Sequence, residues 1–187
     1  MNNDIDIILI NNVAELEPYL ASLCKTYQIV FSTPPYNERF YPNEVENLMR
    51  RHLEGKEQST TLVVKAQRVI GFGLAAPVNN YPDIARRIRG LLPGKQTYYI
   101  AELGVLPDSR RKGLGQKILD QHLRMMNPDK FNYIVLRSSA SEDPAHFMFQ
   151  KMGFEDMGVY MDIHSRKTDG STRTDHRVLL SRMVNET

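Results

Sequence analysis

Arg110-Arg111-Lys112-Gly113-Leu114-Gly115 connects an apolar segment ending at Val105-Leu106-Pro107 to a segment with helical periodicity. That periodicity comes from apolar or weakly polar residues spaced three and four apart: Ile118, Leu119, His122, Leu123 and Met126. Unpaired N–H groups and the positive dipole end at a helix start attract anions, and arginine and lysine add direct charge. Glycine lets the backbone approach such an anion. The pattern predicts a strand, a basic loop and a helix start that bind phosphate, more specifically a pyrophosphate.

Two familiar phosphate-binding loops do not fit these residues. The Walker pattern of Gly, four residues and then Gly-Lys-Ser/Thr does not occur here. A dinucleotide fingerprint needs a small residue where this chain has Ile118, and no acidic residue follows at the required distance. On spacing alone, a plain basic turn that caps a helix remains an alternative.

The wider segment from Ala101 to Gly115 resembles the central motif of the GCN5-related N-acetyltransferase (GNAT) family. Arg110, Gly113 and Gly115 fill the signature Arg/Gln-x-x-Gly-x-Gly/Ala, and the preceding strand ends in the expected Val-x-Pro. In that family the loop holds the pyrophosphate of acetyl-CoA. The resemblance therefore implies acetyl-CoA as the acyl donor, bound by the strand end and loop residues Leu103, Val105, Arg110, Arg111, Lys112, Gly113, Leu114, Gly115 and Gln116.

A second segment, 143–154, resembles the next helix of the family, Asn-x-Ala-x-x-x-Tyr-x-x-x-Gly-Phe. Ala145, Gly153 and Phe154 match in spacing, whereas Asp143 stands in place of the Asn and Phe149 in place of the Tyr. The resemblance adds Asp143 and Phe149 to the expected cofactor-binding residues.

Composition is that of an ordinary globular chain, with 187 residues, 41% hydrophobic and 25% charged. We expect a single domain over residues 1–187. A net charge of +2 argues against nucleic acid as the main partner. The polar amino terminus and the lack of a long apolar run argue against a signal peptide and a membrane span, so we expect a cytoplasmic protein.

Periodicity predicts a mixed α/β fold with a mostly antiparallel central sheet flanked by helices. The predicted strands are 5–10, 60–66, 69–76, 97–106, 133–139, 159–164 and 177–184; the predicted helices run from Val13 to before Ser32, then 42–53, 112–126 and 144–152. Residues 77–96 look like an insertion with a short basic helix at 84–92, and 97–154 form the cofactor core. The connection 166–174 is expected to be long, polar and basic. The resemblance implies two central parallel strands that splay apart to admit the cofactor.

Direct transfer of acetyl to an amine needs a base, because free alkyl amines are almost fully charged at neutral pH. Glu102 lies on the strand leading into the loop, where the family often carries a Glu with this role. Simple pairing with an arginine is the alternative for this residue. The backbone N–H of Val105 is the candidate to stabilise the thioester oxygen as it gains charge. Phe149 has no proton to give the departing thiolate, and Tyr133, Ser139, Ser141 and Tyr160 are possible substitutes.

The segment Ser32-Thr33-Pro34-Pro35-Tyr36-Asn37-Glu38 is the best candidate for the acceptor side. In the family this connection forms a wall of the acceptor cleft, so Tyr36 could stack on an acceptor and Glu38 could hold its ammonium group. A rigid, proline-stiffened surface loop is an equally supported interpretation. The basic tracts 86–89 and 166–173 are expected to be solvated, but either would favour an acidic acceptor if it faced the cleft.

The leading hypothesis is an N-acetyltransferase that acts on a small-molecule or peptide amine. The alternative is an acyl-CoA sensor or partner-binding module that kept the loop and lost the chemistry, and Phe149 is its main support. The five histidines lack metal-ligand spacing, so no metal is expected. A homodimer is possible by family analogy alone.

Overall fold

The computed structural model describes residues 5–140 and 144–184. Seven strands form one sheet in the order β1-β2-β3-β4-β5-β7-β6. The strands are β1 Ile5–Ile10, β2 Ser59–Lys65, β3 Arg68–Pro77, β4 Thr97–Val105, β5 Tyr133–Ser139, β6 Glu155–Arg166 and β7 Thr172–Met183. The helices are α1 Val13–Leu16, α2 Leu20–Ser32, α3 Pro42–Leu53, α4 Pro82–Arg87, α5 Leu114–Met125 and α6 Pro144–Lys151.

The expected splay between two central parallel strands is confirmed. Pairing between β4 and β5 is parallel and runs only from Thr97↔Tyr133 to Ile100↔Leu136, whereas every other pair of neighbouring strands is antiparallel. Beyond Ile100, β4 continues along β3 and β5 continues along β7. A register shift on β4 leaves Ala101 without a partner on β3, because Leu74 pairs with Glu102 and Ala75 pairs with Ile100. The sheet therefore opens into a gap lined by the second half of β4.

Helices cover both faces of the sheet. Phe72 on β3 stacks on Tyr27 of α2, with ring centroids 5.2 Å apart, and this identifies the face covered by α2 and α3. On the other face, a Cβ atom added to Gly73 would lie 2.4 Å from Nε2 of His122 in α5. Side chains alternate along a strand and paired residues share a face. Glu102 therefore lies on the α2–α3 face, because it pairs with Leu74.

Several predicted boundaries are wrong. The first helix is interrupted by a 3₁₀ turn at 17–19 that contains Pro18, and it extends through Ser32. The short basic helix occupies Pro82–Arg87 instead of 84–92.

The last hairpin is longer than predicted, since β6 and β7 leave only residues 167–171 as their connection. Much of this extension is exposed and carries polar cross-strand pairs, such as Asp162 with His176. It therefore lacks the apolar alternation on which the prediction relied.

Candidate active site

The loop between β4 and α5 has the geometry of an anion site. Arg111 and Gly113 adopt positive φ angles of 60° and 72°, and nothing lies within 4 Å of a Cβ built on Gly113. The first hydrogen bond of α5 runs from the Lys117 N–H to the Gly113 carbonyl, at 3.0 Å. The N–H groups from Arg111 to Gln116 donate to no backbone carbonyl within residues 5–140 and 144–184. Consecutive donors at a helix start thus remain available to an anion.

The other predicted loop residues shape this site. Nε of Arg110 donates to the Val105 carbonyl at 3.0 Å and so ties the loop to the end of β4. Leu114 is buried and anchors the first turn of α5. A Cβ on Gly115 would lie 3.3 Å from Sδ of Met148 in α6, so the small residue lets the two helices approach closely.

The unpaired edge of β4 faces the gap. The Leu106 N–H donates to the Ile70 carbonyl on β3, at 2.9 Å. Successive residues of a strand direct their N–H groups to opposite edges. The Val105 N–H is therefore directed away from β3, and so is that of Leu103 two residues earlier. Both predicted residues present donors where β5 has separated from β4.

Glu102 lies between two cavities. One has a volume of about 400 Å³ and also contacts Phe149, Tyr36 and Glu38. The other, of about 810 Å³, lies against α3 and Tyr81. The structure thus joins the predicted base, the second motif and the acceptor loop around one space.

Burial raises the pKa of Glu102 to about 7. The carboxyl touches the cavities, but protein atoms surround it and hydration is poor, which disfavours its charged form. Glu38 raises the pKa further, whereas Arg137, Tyr27 and Arg177 oppose this effect. No ion pair within 4.0 Å joins Glu102 to a described arginine, so simple pairing does not account for the residue.

The second motif reaches the same cavity through α6. Ala145 and Phe149 line it, and Phe149 packs edge-on against Phe154 with ring centroids 5.9 Å apart. Asp143 and Ser141 lie outside the described residues. Of the proposed substitute hydroxyls, Tyr133 pairs with Thr97 at the opposite end of β4 from Val105. Tyr160 is 60% exposed and bonds to Asp156.

Tyr36 and Glu38 belong to a loop that docks on the connection between β6 and β7. The Arg39 N–H donates to the Arg166 carbonyl at 2.8 Å, and the backbones of Glu38 and Lys167 form an isolated antiparallel β-bridge. Glu38 is buried and accepts a hydrogen bond from Arg177 at 2.9 Å. The Arg177 guanidinium also lies 5.0 Å from the centre of the Tyr36 ring. Burial raises the pKa of Glu38, although Arg177 and Lys167 partly offset that effect.

The two basic tracts differ in their surroundings. Arg86, Arg87 and Arg89 are exposed and line neither cavity, as expected for a solvated surface. Arg166, in contrast, contacts both cavities. Lys167 is buried and bonds to Asp175 at 2.7 Å. The second tract thus contributes to the site.

Among the residues of the smaller cavity that were not predicted, three act on the charge of Glu102: Tyr27, Arg137 and Arg177. Tyr27 lies in the segment predicted as the first helix and Arg137 in the predicted strand 133–139, and neither was assigned a role in the site. The available signal was an arginine that directly follows the apolar run 133–136 within a strand, because such a charge is seldom buried without a function or a partner.

Among residues 5–140 and 144–184, no cluster of three or more His, Cys, Asp or Glu residues could hold a metal ion. Within the same residues, no helix is both long and apolar enough to cross a membrane.

The sequence was compared with models of known protein families and with curated proteins. A sequence model described as acetyltransferase (GNAT) family matches residues 20–154. No curated protein matches the chain at a significant level.

Solved structures with the same fold include an N-acetyltransferase from Staphylococcus aureus Mu50 (TM-score 0.68, 13% identity, 96% of this chain and 99% of that one). Arabidopsis thaliana NAA60 in complex with acetyl-CoA is another (0.67, 16%, 97% and 99%). A third is the ribosomal-protein-S18-alanine N-acetyltransferase from Escherichia coli (0.66, 12%, 98% and 96%). At these identities the structures show the fold alone. The family match spans well over half of the sequence, and the chain belongs to the acetyltransferase (GNAT) family.

Proposed function

We propose that the protein transfers the acetyl group of acetyl-CoA to an amine by direct attack, with Glu102 as the general base. The observation that carries this proposal is the position of Glu102, which lies in the cavity wall on the strand that leads into the anion-binding loop. A carboxyl with a pKa of about 7 can accept a proton efficiently near neutral pH.

The loop and the gap fit acetyl-CoA. The open N–H groups from Arg111 to Gln116 and the basic side chains suit the pyrophosphate. The N–H groups of Leu103 and Val105 can bond the pantetheine arm and the thioester in the gap between β4 and β5. A structural neighbour, NAA60, has been solved with acetyl-CoA, which supports the same donor here.

In this scheme the acceptor's ammonium group loses one proton to Glu102, which passes it to solvent, and the neutral nitrogen then forms a bond to the thioester carbonyl carbon. The nitrogen gives up its second proton to the coenzyme A thiolate as the tetrahedral intermediate breaks down. The Val105 N–H stabilises the oxygen as it becomes negative. The carbon–sulfur bond then breaks, and coenzyme A leaves with the bonding electron pair. Its thiol resembles that of cysteine, with a pKa of about 8.5, so the thiolate can leave without the proton that Phe149 cannot supply.

One observation favours a second candidate function, an acyl-CoA sensor. Phe149 lines the cavity without a hydroxyl, so the usual proton donor of the second motif is missing. A sensor would bind the cofactor without turning it over.

Calorimetric titration with acetyl-CoA, combined with a thiol-release assay on a panel of amines, tests both functions. Gly113→Asp puts a negative charge in the open space beside the loop and should weaken binding at least about tenfold. Gly113→Asn is the matched control, because it has the same shape without the charge and also tolerates positive φ.

Glu102→Gln should keep the affinity for acetyl-CoA and lose thiol release. Tight binding with no thiol release by the wild type from any amine would favour the sensor. Failure of the wild type to bind acetyl-CoA would refute the proposal.

A further inference from the structure

Arg137 lies on β5 immediately after the last residue paired with β4. Leu136 packs with Leu119 and Phe149 beneath α5 and α6, whereas Val135 packs with Tyr99 on the opposite face. Because side chains alternate along a strand, Arg137 extends from the same face as Val135. That is also the face of Glu102. A positive and a negative side chain thus flank the same cavity at the point where the strands separate.

The guanidinium of Arg137 has neighbouring charges but no direct partner among the described residues. Its electrostatic surroundings include Tyr99, Glu102, Glu38 and Tyr27. Even so, no described carboxylate lies within 4.0 Å of it.

The other arginines that line this cavity already have partners, and the exposed Arg39 lies over the Tyr41 ring with its guanidinium 5.2 Å from the ring centre. Arg177 pairs with Glu38 at 2.9 Å, and Arg166 pairs with Glu44. Arg137 therefore has donors left for a ligand, in a setting where its charge is poorly screened.

We propose that Arg137 binds a carboxylate of the acceptor, and that the acceptor is a free α-amino acid with an apolar side chain. This inference rests on the proposed function, because it places the acceptor amine beside Glu102. A zwitterion spans the two opposite charges: its ammonium group approaches Glu102 and its carboxylate accepts hydrogen bonds from the Arg137 guanidinium. Planar, two-pronged recognition of a carboxylate is the contact for which arginine is suited.

The remaining wall of the cavity agrees with a small apolar acceptor. Tyr27, Phe31, Tyr36 and Phe40 contribute aromatic rings to it. A volume of about 400 Å³ lies within the range typical of small-molecule sites. Aromatic walls favour an aliphatic or aromatic side chain over a charged one.

Paired acceptors test this assignment. L-leucine and L-phenylalanine are each compared with their carboxamides, which differ only in lacking the carboxylate. The carboxamide amine loses its proton more readily but is the weaker nucleophile, so the change of the acid-to-amide ratio in Arg137→Gln, rather than the ratio alone, isolates recognition of the carboxylate. Thiol release gives kcat/KM at about pH 8.5, where Glu102 is ionised. Calorimetry on the protein loaded with coenzyme A gives binding without turnover.

We expect the wild type to favour each acid over its amide by about tenfold to a hundredfold, the value of a charge-assisted hydrogen bond. Arg137→Gln should remove this preference while leaving acetyl-CoA affinity unchanged, and Arg137→Lys should keep part of it. Arg87→Gln, on the exposed surface of α4, should behave as the wild type. Thermal melting confirms that each variant is folded.

Equal use of acid and amide by the wild type, or a preference that survives Arg137→Gln, would overturn the inference and leave the proposed function intact. Binding of neither acid to the coenzyme A-loaded protein would also overturn it. Failure of acetyl-CoA itself to bind would count against the proposed function, and that titration is read independently of the acid-to-amide ratio.

Discussion

Replacing Glu102 by glutamine should slow acetyl transfer strongly and, at alkaline pH, stabilise the fold. Glutamine keeps the size and hydrogen-bonding capacity of the side chain but cannot ionise. In the wild type the charged carboxylate is held where hydration is poor, which is why its pKa lies near 7. Catalysis and stability therefore make opposite demands on the same group.

The size of the stability effect follows from linkage. The pKa of Glu102 is raised from 4.5 to about 7, and each unit of pKa corresponds to 1.36 kcal/mol, so the full effect is about 3 kcal/mol. The folded-state pKa is the higher one, so the folded protein holds this proton more tightly than the unfolded chain. The resulting stabilisation of the wild type is fully present below about pH 4.5 and is lost as the pH rises through about 7. The difference in free energy of unfolding between Glu102→Gln and the wild type should therefore rise by about 2.5 kcal/mol, in favour of the variant, from about pH 5 to about pH 8.5.

Urea unfolding followed by circular dichroism at both pH values measures this difference. Glu155→Gln, which alters an exposed carboxylate on β6, is the control and should show a change within about 0.5 kcal/mol.

In the same preparations, wild-type kcat/KM should rise with pH through about 7, and Glu102→Gln should be slower by about a hundredfold to ten-thousandfold. A variant within tenfold of wild-type activity would refute the role as a base. A stability difference that does not depend on pH would refute the argument from burial.

Two further substitutions test the surroundings of the site. Gly73→Ala should cost about 1–3 kcal/mol in urea unfolding, because its Cβ would lie 2.4 Å from Nε2 of the buried His122. In Gly94→Ala the nearest atoms to the new Cβ would be a side-chain oxygen of Asn79 at 3.2 Å and a methyl group of Val78 at 3.9 Å, so this variant should cost far less, and equal costs would contradict this reasoning. Glu38→Gln removes the charge that faces the mostly buried Arg177 and should cost about 1–3 kcal/mol. Since Glu38 raises the pKa of Glu102, the same variant should move the midpoint of the pH–rate profile below about 7, and an upward shift would refute this coupling.

Local sequence was sufficient to predict the loop and the helix start on the cofactor side of the site. The basic loop, its glycines and the following helix are contiguous, and their structure depends on φ angles and helix-start geometry within a few residues. Gly113 has the positive φ expected of a glycine in such a loop. Helix α3 was predicted with its observed bounds, since a proline begins it and one apolar stripe runs through it.

Contacts between distant segments were not predictable in this way. The hairpin of β6 and β7 was predicted too short, because its exposed, polar residues are held by pairing and by contact with the loop that contains Glu38. The pairing of Glu38 with Arg177 joins positions 139 residues apart.

The sequence by itself determined the family, the order of the main elements and the candidate base, because each depends on a short motif or on local periodicity. Only the tertiary structure decided the surroundings of Glu102 and the position of Arg137 across the gap from it. Both depend on where β4 and β5 separate and on which side chains the alternation of each strand directs into that space. The pKa of a carboxyl and the charges within its reach are properties of three-dimensional proximity, which chain order does not encode.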